Sequence, residues 1–348
     1  MAYTEIDRSD LYFNTKLYTG NGSTQSINGI GFQPDWVWIK RRNGAESHAL
    51  FDSVRGVQKQ LASDSTSAEQ TVATSLTSFN SDGFSLGAYS RVNASSDTFV
   101  SWNWLAGGTA SSNTDGSITS TVSANTTSGF SIVSYTGNGT AGATIGHGLG
   151  SAVKFLWVKN RDDAGENHTI WHQDIPNTNA LFLNSTDGSN SYTTRWNSTT
   201  PTSSVFTVGT SNGVNGNTKN YIAYCFAEKK GFSKFGSYTG NGSTDGTFVY
   251  TGFKPAWVMI KCTSTTESWD IKDNKRNPYN TCDNGLRANQ SSADDINTTY
   301  HMIDYLSNGF KLRGANQNLV NGTGQSYIYM CFSENPFVTS TGIPTTAR

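Results

Sequence analysis

The pentapeptide Tyr18-Thr19-Gly20-Asn21-Gly22 returns as Tyr135-Thr136-Gly137-Asn138-Gly139 and as Tyr238-Thr239-Gly240-Asn241-Gly242. Each copy opens the same succession of longer blocks. The chain therefore reads as one unit of roughly a hundred residues written three times. The Gly-Asn-Gly turn can place residues at φ > 0, as a tight connection between strands needs.

The second block is Asp35-Trp36-Val37-Trp38-Ile39-Lys40, matched by Lys154-Phe155-Leu156-Trp157-Val158-Lys159 and Ala256-Trp257-Val258-Met259-Ile260-Lys261. Bulky residues at successive positions predict an interior strand covered on both faces. Its closing lysine, Lys40, Lys159 or Lys261, is expected where the strand reaches water. The third block is His48-Ala49-Leu50-Phe51-Asp52, matched by His168-Thr169-Ile170-Trp171-His172 and more loosely by Glu267-Ser268-Trp269-Asp270-Ile271. A variable region rich in Ser, Thr, Asn and Asp follows in each copy. These regions read as exposed loops with short strands, where binding specificity would sit. The fourth block, a turn into an alternating strand, is Ser81 to Gly87, Val205 to Gly209 and Ser307 to Gly314. The fifth, Thr98 to Trp104, Tyr221 to Phe226 and Tyr327 to Phe332, is again bulky on both faces. It is expected to lie beside the second-block strand.

These blocks predict an all-β chain of three tandem related antiparallel β-sandwich-like units. The expected division is a leader at 1–16, units at 17–108, 130–234 and 235–337, a linker or hairpin at 109–129, and a tail at 338–348. Each unit is large enough for its own core. Trp36, Trp38, Trp102, Trp104, Trp157, Phe226, Trp257, Phe310 and Phe332 are the expected core residues. Val57 to Ala62 is the one modest helix candidate.

Only 15% of residues are charged, yet the chain carries 35 Gly, 18 Phe, 15 Tyr and 9 Trp. Few charges with many aromatics is the opposite of a disordered composition. A formal net charge of −1 gives no electrostatic case for nucleic acid or an anionic membrane. No apolar run approaches the ~18 residues of a membrane span, and the first residues carry no apolar signal-peptide core. Cys225 and Cys331 share one repeat position and read as small core residues.

No catalytic constellation emerges, and no cofactor is expected. His168 and His172 share one strand face, and a metal pair would need a further ligand such as Asp162, Asp163 or Glu166, which are close in sequence; the favoured reading is polar surface residues, like His147 in its glycine-rich turn. Asp187-Gly188-Ser189-Asn190 and Asp115-Gly116-Ser117 are incomplete as calcium loops. Glu46, Asp52, Glu267 and Asp270 lie near strand ends, but they do not recur in register as a hydrolytic pair would. Tyr192, Trp196 and Tyr279 lie in variable regions and are the candidate contacts for a glycan or receptor.

The repeated Tyr-Thr-Gly-Asn-Gly, Gly146-His147-Gly148-Leu149-Gly150, Ser307 to Arg313 and above all Tyr327 to Phe337 resemble a family of proteins from tailed phages of marine bacteria and cyanobacteria. Its members are labelled as virion or tail-fibre-like proteins. The likeness covers nearly the whole chain after residue 11. It departs at Cys331, where the family has a small residue such as Ala. It implies a virion location and supplies no catalytic residues.

The resulting expectation is a non-enzymatic virion structural protein. The leading role is a tail fibre or tail-associated adhesin, partnered by other virion proteins and a host surface glycan or protein. Homo-oligomerisation, with a trimer favoured, is also expected. A capsid decoration protein is the alternative, and a polysaccharide-degrading tailspike a third. Changing Trp36, Trp157 or Trp257 to Ala is expected to cost about 3–5 kcal/mol, read as a lowered urea midpoint. An unchanged midpoint would show that the side chain is not core.

Overall fold

The computed structural model describes residues 6–297 and 299–335, and it is nearly all β. Three large antiparallel sheets share one strand order. In the first, Phe13–Thr19 lies beside Thr98–Trp104, then Trp36–Arg41, then Ala49–Asp52. In the second, the same places are held by Phe130–Thr136, Asn220–Ala227, Val153–Asn160 and Thr169–His172. In the third they are held by Ser233–Thr239, Ser326–Asn335, Lys254–Cys262 and Trp269–Asp273. The second- and fifth-block strands are therefore neighbours in every sheet. The segment before Gly129 adds a hairpin, with Ser120 opposite Tyr135 and Asn125 opposite Phe130. Residues Val57 to Ala62 contain the short strand Lys59–Gln60 and a bridge from Leu61 to Leu50, and no helix. The register with Ala49–Asp52 recruits this backbone into the sheet.

Side chains of a strand alternate between two faces, and here the alternation sorts residues into two kinds of core. Outward-facing Val37, Ile39 and Phe51 join Phe84 from a small covering sheet, Gln25–Asn28 with Gly83–Leu86 and Leu76–Asn80. Leu156 and Val158 pack likewise under Phe206, and Val258 and Ile260 under Phe310. The inward face does something the separate-core expectation missed. Trp36, Trp38, Trp102 and Trp104 of the first sheet, Trp157 and Phe226 of the second, and Trp257 and Phe332 of the third belong to one shared cluster. Trp36 stacks on Tyr224 at 4.5 Å, and Trp104 meets Trp257 edge-on at 5.7 Å. Removing ~150–250 Å² of ring from water gains roughly 4–6 kcal/mol per aromatic. Ring geometry adds only ~0.5–1.5. Burial thus decides this core, and no sheet can complete it alone.

The pentapeptide acts alike in its three places. Tyr18, Tyr135 and Tyr238 donate their hydroxyls to the carbonyls of Val92, Val214 and Val320 at 2.6–2.7 Å. A Cβ on Gly20, Gly137 or Gly240 would overlap the carbonyl oxygen of Ala94, Gly216 or Gly322. Gly22, Gly139 and Gly242 sit at φ 68–69°, where glycine is favoured. The asparagine backbone N–H donates to Asn93, Asn215 or Asn321 at 2.9–3.0 Å. Those three buried amides also donate to the carbonyls of Gly87, Gly209 and Gly314. They tie the turn to the covering layer, and their spacing does not stand out in the sequence.

The sheets are stitched cyclically. Lys40, Lys159 and Lys261 are fully buried rather than at water. Each ammonium donates to a carbonyl of the neighbouring sheet's segment: Ser291, Thr66 and Thr186 respectively. Burial lowers each lysine to about 8. The histidines also correct the surface expectation, since His48, His147, His168 and His172 are buried. Trp38 donates its indole N–H to His48 Nδ1 at 2.7 Å, and Trp157 to His168 Nδ1 at 2.9 Å. An indole only donates, so both imidazoles are neutral with the proton on Nε2. That N–H reaches the carbonyls of Arg287 and Ala62. Strand register places Trp269, not Glu267, at this position in the third sheet. Trp269 donates to the Phe182 carbonyl at 2.9 Å. Met259 stands where Trp38 and Trp157 stand, and it needs no acceptor.

Burial holds His48 and His168 well below their usual range, and His172 at about 4. Below pH ~6.5 the unfolded chain takes up protons at these sites and the folded chain does not. Their contribution is therefore complete above 6.5 and is lost as pH falls. Melting temperature is expected to drop from pH 7 to pH 5, above the carboxylate range, with a shallower slope in the His48→Asn, His168→Asn double variant. Identical slopes would contradict neutral buried imidazoles.

Candidate functional site: the outer face of the third sheet

The three covering sheets share one strand pairing, with two strands in the second and three in the others, and they are surfaced differently. In the first, Ile27 pairs with Phe84 and points inward, leaving Ser26 and Asn28 exposed. In the second, Ile145 pairs with Phe206, and its neighbours are Thr144 and Gly146. In the third, Val249 pairs with Phe310, and the same two outward places carry Phe248 and Tyr250. Tyr250 is 61% exposed on the edge strand of Phe248–Tyr250, Gly309–Leu312 and Ile303–Leu306. Gly309 lies beneath, and a Cβ there would press on the Phe248 ring. The fold does not need these aromatics, because two sister sheets use small or polar residues at their places.

Other apolar side chains gather on the same part of the chain. Tyr279 is 82% exposed, and Ile296 and Tyr300 are also exposed. Asn280, next to Tyr279, exchanges two hydrogen bonds of 2.9 Å with the Tyr305 backbone, which anchors the loop to the edge of this sheet. Among the described residues, the remaining exposed large apolar side chains are Leu11 and Val57. Of the aromatic contacts expected from sequence, only Tyr279 is freely presented. Trp196 is 1% exposed and belongs to the second sheet's outer core. It closes a four-residue helix, Thr193–Trp196, whose turn rolls the ring inward. Tyr192 is half-buried, 4.9 Å from the Phe182 ring. Phe248 and Tyr250 were missed because alternation in a short strand does not reveal which face is wet.

Under this face lies a charge network peculiar to the third sheet. Asp270 and Lys272 hold the places of Ala49 and Phe51, and of Thr169 and Trp171. Asp270 pairs with Arg287 and with Lys272 at 3.6 Å. Lys272 donates to His301 Nδ1 at 3.1 Å, and His301 Nε2–H donates to Asp295 at 3.1 Å. Arg287 also reaches Asp295 at 3.1 Å. Burial alone would raise Asp270, but Lys272 and Arg287 outweigh it and hold the carboxyl low. Burial lowers His301 and raises the nearby Cys282 thiol to about 12, which leaves that sulfur inert. Each charge in this network has an ion-pair partner, and the network supports the face from below.

The other expected chemistry is likewise engaged in packing. Asp52 is buried against Arg55 and accepts from Tyr224 at 2.8 Å, and Glu46 pairs with Arg91 at 3.2 Å. Among the described residues no group of three or more His, Cys, Asp or Glu is placed to hold a metal. No helix among them is long and apolar enough to cross a membrane.

An all-β ring with one divergent, aromatic outer face is the class of protein that this geometry defines. The chain belongs to the DUF7483 family, a domain of unknown function, which it matches over residues 7–336. No curated protein and no solved structure matches it.

Two variants separate surface from scaffold. Phe248→Ser with Tyr250→Asn, which copies the first sheet, is expected to stay within about 0.5 kcal/mol of the parent, as exposed changes do. Asp270→Ala leaves the buried Lys272 ammonium without its carboxylate and removes one of the two that hold Arg287, and it is expected to cost about 3–5 kcal/mol. Denaturant titration reads both. A large loss in the first variant would make the aromatic face structural.

Proposed function

We propose that this chain is a non-enzymatic structural protein of a tailed-phage particle, a tail fibre or tail-associated adhesin that contacts the host surface through its third sheet. The observation that carries the contact surface is the pair Phe248 and Tyr250, exposed where the sister sheets hold Ser26 and Asn28 or Thr144 and Gly146. Exposed rings on a rigid strand suit the apolar faces of sugars and the side chains of surface proteins, because they bind with little loss of rotamer freedom. The virion setting is supported by the family likeness of the repeated Tyr-Thr-Gly-Asn-Gly and of Tyr327 to Phe337. The absence of a free acid–base pair on the described face supports contact over cleavage. The shared core is buried within one chain, so any homo-oligomer would form through outer surfaces.

The test applies the intact chain to cyanobacterial cells and to a microbial glycan array, with reducing-sugar release measured in parallel. Binding without release is expected, and Phe248→Ser with Tyr250→Asn should weaken it at least tenfold at unchanged melting temperature. Release of reducing sugar, or binding indifferent to both aromatics, would overturn the reading. Proteomic detection of the chain in purified phage particles checks the location, and its absence from particles would defeat the virion assignment.

A further inference from the structure

The three seams between sheets are built from the same positions, and the third encloses a space lined by unpaired polar atoms. Each seam has a residue whose backbone N–H donates to the residue leading into the second-block strand: Ser53 to Asp35, Gln173 to Lys154, and Asn274 to Ala256, at 2.8–3.0 Å. At the first seam the Asp35 carboxylate fills the space and accepts from Ser53 and from the Ala106 and Gly108 backbone. At the second, Gln173 donates its amide to the Phe235 carbonyl at 2.6 Å, and the more open space of about 320 Å³ beside it has no unpaired buried polar atom in its lining. At the third, where the first strand meets the last, Ala256 replaces the longer side chain. Asn274 there is one methylene shorter than Gln173. A cavity of about 170 Å³ remains.

Its lining is unusual for a void. Thr15 Oγ1, Asn274 Oδ1 and Ser333 Oγ have no hydrogen-bond partner. Thr15 is 7% exposed and Ser333 1%. Leaving a buried polar atom unpaired is costly, and three around one cavity point to a ligand that supplies their partners. Phe13 also borders the space, with its ring stacked on Phe332 at 5.1 Å and packed against Trp104 at 4.9 Å. The charged groups at its edge are already engaged: Asp10 with Arg8, and Glu334 with the Asn274 amide at 2.8 Å and Lys275 at 3.7 Å. What is left over is two hydroxyls and an amide oxygen. These are neutral groups that exchange hydrogen bonds with hydroxyls, and the Lys275 ammonium disfavours a bare cation.

We propose that this ring-closing seam is a binding site for one neutral sugar residue, with its hydroxyls on Thr15, Ser333 and Asn274. The volume is below the ~300 Å³ at which drug-sized pockets begin, and it suits a single pyranose. The site is separate from the aromatic face of the third sheet and stands whether or not that face binds a host.

The test is saturation-transfer NMR on the full chain with the methyl glycosides of glucose, galactose, mannose and N-acetylglucosamine. At least one should show transfer with a millimolar Kd. Thr15→Val and Ser333→Ala should each weaken it about tenfold. Asn274→Gln, which installs the second seam's residue, should abolish it while melting is unchanged. Phe248→Ser with Tyr250→Asn should leave it intact, which distinguishes this site from the adhesin face. Should Asn274→Gln fail to fold, Thr15→Val, close in shape to the parent, decides. Silence from all four glycosides, transfer indifferent to the seam variants, or a calcium titration that saturates the site instead would overturn the proposal.

Discussion

Three sheets must bury one face against each other, and the rest of the structure follows from that demand. Trp36, Trp104, Trp257, Phe226 and Phe332 meet in a single cluster to which every sheet contributes. An aromatic half-core left open would expose hundreds of square ångströms of ring to water. The repeat is thus a closed ring. Its unit resembles a sandwich in having a covering layer, but the second face of the large sheet belongs to the whole molecule.

Around that core, polar groups are used where hydrocarbon alone would not select an arrangement. The buried lysines, the Trp–His pairs and the Asp–Arg pairs each cross or flank a seam, with every partner supplied. Substitutions at these places come in matched sets. Met259 lacks the indole donor of Trp38 and Trp157, and Trp269 replaces the imidazole acceptor that such a donor would need. His172 stands where Asp52 and Asp273 stand, and Ile175 then replaces Arg55 and Arg276. Unmatched exchange would strand a buried donor or charge, which costs more than the pair contributes. Against this regular background, positions that break the threefold pattern without structural need are informative. Phe248 and Tyr250 break it at the surface, and Ala256 and Asn274 at the last seam.

Much of the architecture was legible in the chain. The bulky-on-both-faces strands are interior and adjacent, Gly22, Gly139 and Gly242 take the left-handed turn, and Cys225 and Cys331 are buried. The errors share a cause. Lys40 at a strand end reads as solvated, and His168 with His172 reads as surface, because single-strand patterns carry no information on what a neighbouring repeat places above them. Trp196 lies in a polar variable stretch, and only the turn of its short helix sends the ring inward. Phe248 and Tyr250 sit in a three-residue strand, too short for periodicity to mark its wet face.

Local chemistry alone determined the strand content, the turns and the threefold recurrence, since alternation, glycine conformation and repeat identity are properties of adjacent residues. Tertiary structure decided that the three copies share one core, that the buried cations and imidazoles are seam fasteners, and which aromatics meet solvent. Those outcomes depend on residues about a hundred positions apart being pressed together, and the free energy of excluding water from their common face is a property of the assembled ring.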